Sequence, residues 1–377
     1  MGGSRLFLSR ITMRNFRNYG LAQLDAHPRL NLIYGLNAQG KTNLLEAIYL
    51  LGVGKSFRTL HDEELIRHGE EVFYVKGEIS GEEDLQLEVG YARDQKKQFR
   101  QNRLIVRKTA DFFGNLPLVL FNPDDLQVIK AGPFMRRRLL DFHLSQISVK
   151  YKQEHARYQE ILKQRNRLLR EQCVRKIDES LLEVYTEQMT HTGAFLLWMR
   201  LHKIPRLQEL AGGILQKISG RRECLELAYL SGDQARESMS LEETLVFLQK
   251  EGKKAEKEER KRGLTLFGPH RDELSAALRG QGELRTFGSQ GQQRAAVLAL
   301  KMALVELLQE ETGKKPLLLL DDILSEFDDE RQRFFLQESL QNVQTFLTYA
   351  SEKRPQLTGK EWKTFRISAG EIFQEET

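Results

Sequence analysis

The hydrophobic positions divide the chain into three regimes. In the first third, short continuous apolar runs alternate with helical spacing. Asn31-Leu32-Ile33-Tyr34 is such a run and leads directly into a glycine-rich loop. Beyond the loop Leu44, Leu45, Ile48 and Leu51 recur at helical intervals, so strand, loop and helix follow in order. Val72-Phe73-Tyr74-Val75 and Leu85-Gln86-Leu87-Glu88-Val89 flank Ser80-Gly81-Glu82-Glu83 and predict β-structure around a turn. Leu116 to Phe121 predicts another buried strand, closed by Asn122-Pro123-Asp124-Asp125. From about residue 133 to about 263 the period becomes helical. Tyr151, Tyr158, Ile161/Leu162 and Leu168/Leu169 form one stripe, and Leu181/Leu182, Tyr185, Met189 and Leu196 a second, predicting amphipathic helices packed together. Residues 249–263, rich in Lys and Glu, read as a solvated helix or a linker.

The last third returns to alternation. The apolar run Leu264 to Phe267 precedes Gly268-Pro269-His270-Arg271-Asp272. A glycine-bracketed turn and a helix follow, with Ala295, Leu298, Met302, Val305 and Leu308 on one face. Leu317 to Leu320 predicts a buried strand, Phe334, Phe335 and Leu340 a further helix, and Phe346 to Tyr349 a final central strand. No internal repeat is present.

Composition narrows the class. With 377 residues, 40% hydrophobic and 29% charged, the chain has room for two domains and a substantial core. No run approaches the ~18 apolar residues of a membrane span, and the N-terminus lacks the apolar region of a secretory signal. A cytoplasmic protein without membrane contact is expected. Cys173 and Cys224 are far apart, outside disulfide-framework or zinc-ligand spacing. The net charge of +5 is unevenly spread: residues 135–176 hold twelve Lys/Arg against four Asp/Glu, a local +8 that leaves −3 elsewhere. Such a segment is a candidate polyanion surface.

Three stretches carry candidate chemistry. Gly35-Leu36-Asn37-Ala38-Gln39-Gly40-Lys41-Thr42 fits the phosphate-loop pattern completely. Its glycines let backbone N–H groups curl around phosphates, Lys41 brings charge to the β and γ oxygens, and Thr42 offers a hydroxyl to Mg²⁺. ATP and Mg²⁺ are therefore the expected ligands. Second, Leu317 to Leu320 would deliver Asp321 and Asp322 at a strand's carboxyl end, Asp321 toward the metal and Asp322 as a base for the attacking water; Ser325-Glu326-Phe327-Asp328 lies just beyond. Third, Phe287-Gly288-Ser289-Gln290-Gly291-Gln292-Gln293-Arg294 opens the long helix. Alone, Ser289 reads as an ordinary helix cap. About 30 residues before the aspartate pair, the stretch instead resembles the signature of ABC-type ATPases. That resemblance implies that Ser289, Gly291 and Gln292 of one subunit close on nucleotide held by another, making an ATP-dependent homodimer.

The resemblance then narrows. Ile11-Thr12-Met13-Arg14-Asn15-Phe16-Arg17-Asn18-Tyr19, the phosphate loop, Gly54-Lys55-Ser56-Phe57-Arg58-Thr59, Arg136-Arg137-Arg138-Leu139-Leu140-Asp141, Gly268 to Asp272 and the signature occur in that order. Essentially the whole chain resembles the bacterial RecF family of recombination mediators, relatives of the SMC ATPases. The resemblance implies an α/β P-loop ABC-type ATPase head, with mixed and parallel sheet and helices, interrupted by an all-α arm. It also implies weak DNA-stimulated ATP hydrolysis, binding to duplex DNA, gap junctions and single strands, and work with RecR and RecO in loading RecA. The expected organisation is head at 1–132, arm at 133–263 and head again at 264–377. Two departures from the wider ABC pattern point to ATP as a slow switch. The second acid is Asp322 where Glu is usual, and Thr348-Tyr349 stands where many relatives have histidine.

Other positions remain open. Arg136, Arg137 and Arg138, with Lys163, Arg165, Arg167 and Arg170, either contact DNA phosphates or form a solvated face. Asn18 and Tyr19 either touch base or ribose or pack in the core. Gln127 or Asn122 is a candidate γ-phosphate sensor. A transporter's nucleotide-binding subunit would not need the roughly 250 residues between Lys41 and Ser289, and an SMC-type hinge-terminated coil would need more. A DNA-binding scaffold with a vestigial nucleotide site is disfavoured by intact Lys41, Thr42 and Asp321.

Overall fold

The computed structural model describes residues 6–107, 109–172, 178–220, 222–232, 237–323, 332, 343–349 and 362–375. Cys173, Ser325 to Asp328 and the helix expected around Phe334, Phe335 and Leu340 lie outside them. Two compact units are present, Met1–Asp125 with Leu304–Thr377, and Leu126–Ala303. Residues 264–303, placed by sequence with the last third, thus cluster with the helical segment.

The first unit holds two six-stranded sheets. β1 (Phe7–Phe16) and β2 (Tyr19–Asp25) pair antiparallel, β3 (Leu30–Tyr34) feeds the glycine loop and α1 (Lys41–Val53), and β4 (Val72–Ser80), β5 (Leu85–Ala92), β6 (Gln98–Gln101) and β7 (Leu104–Val106) follow. The first sheet runs β2-β1-β4-β5-β6-β7, antiparallel throughout. β1 buries Leu8, Ile11, Met13 and Phe16, but a register shift between Leu8 and Arg10 interrupts its alternation. That bulge hides a strand from a strict period-two reading.

After the short α2 (Thr109–Phe112) comes β8 (Leu118–Phe121), and the unit ends with β12 (Leu317–Asp321), β13 (Thr345–Tyr349), β14 (Trp362–Ser368) and β15 (Glu371–Glu375). The second sheet has the order β15-β14-β3-β13-β12-β8, parallel from β14 to β8 with antiparallel β15 at its edge. All five positions of β12 and of β13 are buried, as a parallel strand covered on both faces requires. Phe346 to Tyr349 is central, as expected, but not final: the β14–β15 hairpin follows.

The second unit is mainly helical: α3 (Gln127–Lys130), α4 (Pro133–Ile147), α5 (Val149–Gln172), α6 (Glu179–Ile218) and α7 (Leu241–Arg262). The two predicted stripes meet in one cluster that contains Tyr151, Tyr158, Ile161, Met189 and Leu196, with Phe267 packed in. α7 resolves the question at 249–263 as helix. A reciprocal Ser240–Glu243 capping box starts it, and Gly263 ends it in the left-handed region. The arm is not entirely helical, because β9 (Leu225–Leu230) lies within 133–263. Its partner is β10 (Glu273–Leu278), paired antiparallel over six residues; that long-range ladder, absent from local helical periodicity, supplies its backbone hydrogen bonds. The run 264–267 forms no strand. β11 (Gly282–Glu283), α8 (Leu284–Phe287) and α9 (Gln290–Thr312) follow, and α9 buries its predicted stripe together with Ala296, Val297 and Leu304 on other faces.

Candidate phosphate-loop site and basic surface

The loop geometry follows from its glycines. Gly35 sits at φ +154°, and a Cβ there would lie 2.3 Å from the Ile367 carbonyl oxygen; at Gly40, φ +123°, it would lie 2.8 Å from Asn18 Nδ2. Neither position admits a side chain. Residues outside the loop fix it. Tyr19 is fully buried and its hydroxyl donates to the Gly40 carbonyl at 2.9 Å, while Asn18 Nδ2 donates to the Gln39 carbonyl at 2.7 Å. From the β14–β15 turn, Ala369 N–H donates to Gln39 Oε1 at 2.6 Å. Tyr19 thus packs in the core, while Asn18 is half-buried against the loop backbone.

α1 begins at Lys41, whose ammonium donates to the carbonyls of Gly35 and Leu36 at 2.8 and 2.9 Å. Burial pulls the Lys41 pKa down, and the charges of Asp322 and Asp321 oppose that shift. Thr42 donates to Asp321 Oδ1 at 2.9 Å, a contact between residues 279 positions apart. Sheet order makes it possible: β3 and β12 both flank β13, so their carboxyl ends open together. Thr348, beside Asp321 in register, donates to the same Oδ1 at 2.9 Å and accepts the Asp322 N–H at 3.0 Å. Burial pushes the Asp321 carboxyl up, and the two threonine hydroxyls work against it. Asp322 has φ +50°, a left-handed conformation that Asp tolerates better than most residues.

Lys41, Thr42, Asp321 and Asp322 are therefore gathered at the carboxyl ends of the central parallel strands. Asn122 directly follows β8, whose Phe121 pairs with Leu320, and among the described residues its buried Oδ1 has no hydrogen-bond partner. Gln127 is exposed at the start of α3. Sequence reasoning missed Thr348 as a partner of Asp321, and nothing local signals it. It also missed the support beneath α1, where fully buried Glu46 accepts Arg17 at 2.8 and 2.7 Å and Ser56 at 2.5 Å. The Gly54 to Thr59 motif is tied there too, through Arg58 to Asn43 Oδ1 at 2.7 Å.

In the second unit Ser289 caps α9. Its Oγ accepts the Gln292 N–H at 3.2 Å, and Gln292 Oε1 accepts the Ser289 N–H at 2.9 Å, while Ser289 itself is exposed. Gly291 lies in the first turn of this helix. The local reading as a cap is thus realised, on an exposed serine.

The basic residues need correction. Arg136 is 3% exposed; it forms a two-pronged ion pair with Glu273 at 2.7 and 2.8 Å and donates to the carbonyls of Val128, Ile129 and Ala131. Arg165 is equally buried, paired with Glu259 at 2.7 Å. Both are internal struts, since a guanidinium taken from water requires such partners, and neither is available to a polyanion. Arg137 is half-buried on the Asp272 carbonyl. Arg138, Lys163, Arg167 and Arg170 are exposed.

Among the described residues, no helix is long and apolar enough to cross a membrane.

Comparison with known proteins agrees with this architecture. Residues 7–366 match the family model described as RecF/RecN/SMC N terminal domain. The chain is 40% identical to the DNA replication and repair protein RecF of Staphylococcus epidermidis over 374 residues, 97% of this chain and 100% of that one. It is 41% identical to RecF of Symbiobacterium thermophilum, over 97% and 98% of the two chains. Among solved structures, a recombination mediator protein RecF–ATPrS of the RecFOR pathway superposes with TM-score 0.90 at 34% identity, covering 99% of both chains. An SMC head domain matches at TM-score 0.58 and 15% identity, a likeness of fold alone.

Proposed function

The chain belongs to the RecF family of DNA replication and repair proteins, and from that premise we propose that it is an ATP-dependent DNA-binding protein of recombinational repair. The observation that carries the reading is the Thr42–Asp321 hydrogen bond. It joins the hydroxyl and carboxylate that a Mg²⁺–triphosphate complex requires, at the end of a loop whose glycines let its backbone pack closely on Ile367, Asn18 and Tyr19. RecF structures in complex with ATP and an ATP analogue support the same ligand.

Residues Gly35 to Thr42 wrap the phosphates with backbone N–H groups. Lys41 pairs with the β and γ oxygens, exchanging its loop carbonyls for anionic partners. Thr42 and Asp321 hold Mg²⁺, which when bound neutralises phosphate charge. Asp322 orients the attacking water; its side chain is one methylene shorter than Glu, which favours slow turnover. Ser289, with Gly291 and Gln292, acts on nucleotide held by a second copy, so ATP binding and homodimerisation are linked. Slow, DNA-stimulated hydrolysis then serves as a release switch.

Arg138, Lys163, Arg167 and Arg170 supply backbone contacts to DNA, with salt-sensitive binding and little sequence preference. In the cytoplasm the protein works at gaps with RecR and RecO to load RecA, a role that the RecFOR context of its relatives supports. The test is solution mass measured with DNA and ATP. The wild type forms an ATP-dependent dimer, and Lys41→Ala and Ser289→Arg both abolish it. A monomer insensitive to nucleotide would sink the proposal.

A further inference from the structure

The signature stretch is held from outside by one side chain to which sequence assigns no role. Gln281 lies in the turn between β10 and β11. Its Nε2 donates to the Phe287 carbonyl at 2.8 Å and to Gln292 Oε1 at 3.2 Å, and its Oε1 accepts from Gln292 Nε2 at 3.0 Å. The two amides therefore form a closed reciprocal pair, and Gln281 reaches both sides of Gly288 and Ser289 at once. Gln292 Oε1 is the same atom that accepts the Ser289 N–H.

The underlying backbone has little slack. Gly288 N–H donates to the Leu284 carbonyl at 3.1 Å, and a Cβ on Gly288 would come within 2.6 Å of that oxygen. On the inner side, buried Gln293 donates to the same carbonyl at 2.9 Å. The outer side, which carries the exposed Ser289, has Gln281 as its fastener among the described residues. The turn bearing Gln281 is itself anchored, since its N–H donates to the Leu278 carbonyl at 3.0 Å and Gly282 pairs back with Leu278.

We infer that Gln281 is a positioning residue for closure of the dimer: it fixes the Gln292 side chain, and through it the Ser289 backbone N–H and the first turn of α9. The inference rests on the proposed action of Ser289 across the dimer. Its physical basis is pre-organisation. A backbone N–H and helix terminus held in place before the two copies meet lose less freedom on closure than a loop that must order at that moment. Removing the clamp leaves the phosphate loop intact and weakens only the face offered to the other copy.

The test compares Gln281→Ala with Lys41→Ala and Ser289→Arg, using the full chain. Affinity for a fluorescent ATP analogue, measured on dilute monomer, stays within about twofold of wild type in Gln281→Ala, and its melting temperature is unchanged. ATP-dependent self-association, measured by sedimentation, weakens about tenfold, the scale expected for losing hydrogen bonds that pre-order an interface. Mixing Gln281→Ala with Lys41→Ala restores turnover, because each mixed dimer has one site built from an intact phosphate loop and an intact signature. A merely structural role would not complement in this way. Wild-type dimerisation and turnover by Gln281→Ala, or loss of its ATP binding or fold, would overturn the inference. If instead Ser289→Arg dimerises and turns over normally, the cross-dimer reading itself fails, whatever Gln281→Ala does.

Discussion

Replacing Arg165 by Met separates a strut from a DNA contact. The Arg165 side chain is 4% exposed and its guanidinium makes three bonds: Nη2 to Glu259 at 2.7 Å, Nη1 to Thr265 at 2.8 Å and Nε to Thr186 at 2.9 Å. Glu259 is 1% exposed and, among the described residues, keeps the Leu266 N–H at 2.7 Å as its side-chain partner once the arginine is gone. Breaking a buried pair from one side costs about 3–5 kcal/mol, because an uncompensated charge remains. Against a total stability of roughly 5–15 kcal/mol this is a severe loss. The two hydroxyls are less affected, since Thr186 also donates to the Leu182 carbonyl and Thr265 to Asn166 Oδ1. The double variant Arg165→Met/Glu259→Leu therefore regains most of the stability.

The assay is urea unfolding followed by Trp198 fluorescence in a Trp362→Phe background, so that the signal comes from α6 alone. In parallel, DNA affinity is measured against salt. Arg165→Met leaves the salt slope unchanged, whereas Arg167→Ala lowers it by about one, as expected for one lost phosphate contact. A stability loss below about 1 kcal/mol, together with a reduced salt slope for Arg165→Met, would refute the assignment as a strut.

Three further outcomes are expected. Burial lowers the pKa of His143 to about 3 and of His270 to about 4, below the ordinary 6.5, so the unfolded chain binds more protons and stability falls as pH drops below 6.5. Each histidine contributes about 1.4 kcal/mol per pH unit in that window. Asp272, raised by burial to about 6, works oppositely between 6 and 3.8, leaving a net loss of about 1.4 kcal/mol per unit near pH 5. Urea midpoints that stay flat from pH 7 to 5 would contradict this. Gly35→Ala abolishes binding of a fluorescent ATP analogue, because the Ile367 carbonyl blocks the new methyl; unaltered affinity would show that the loop yields. Thr348→Val leaves Asp321 with one hydroxyl donor fewer and the Asp322 N–H without its acceptor, so turnover falls about tenfold and needs more Mg²⁺; an unchanged magnesium titration would exclude this support role.

The sequence alone was sufficient where the chemistry is local. Gly35 to Thr42 forms its loop through glycines and a following helix only a few residues away, so the spacing of residue types already encodes the geometry. The helical stripes around Tyr158 and Met189 were legible for the same reason, since a 3.6-residue period is a property of one segment. Tertiary structure decided whatever depends on partners far along the chain. Asp321 meets Thr42 and Thr348 through the order of parallel strands, and β9 becomes a strand because β10 offers its edge. The basic segment shows the difference most clearly. A charge tally counts Arg136, Arg165 and Arg167 alike, yet Glu273 lies 137 residues from the first and Glu259 94 residues from the second. Desolvation with a partnered acid turns a cation into a strut, while Arg167, whose pair with Glu171 stays in water, remains available to a polyanion.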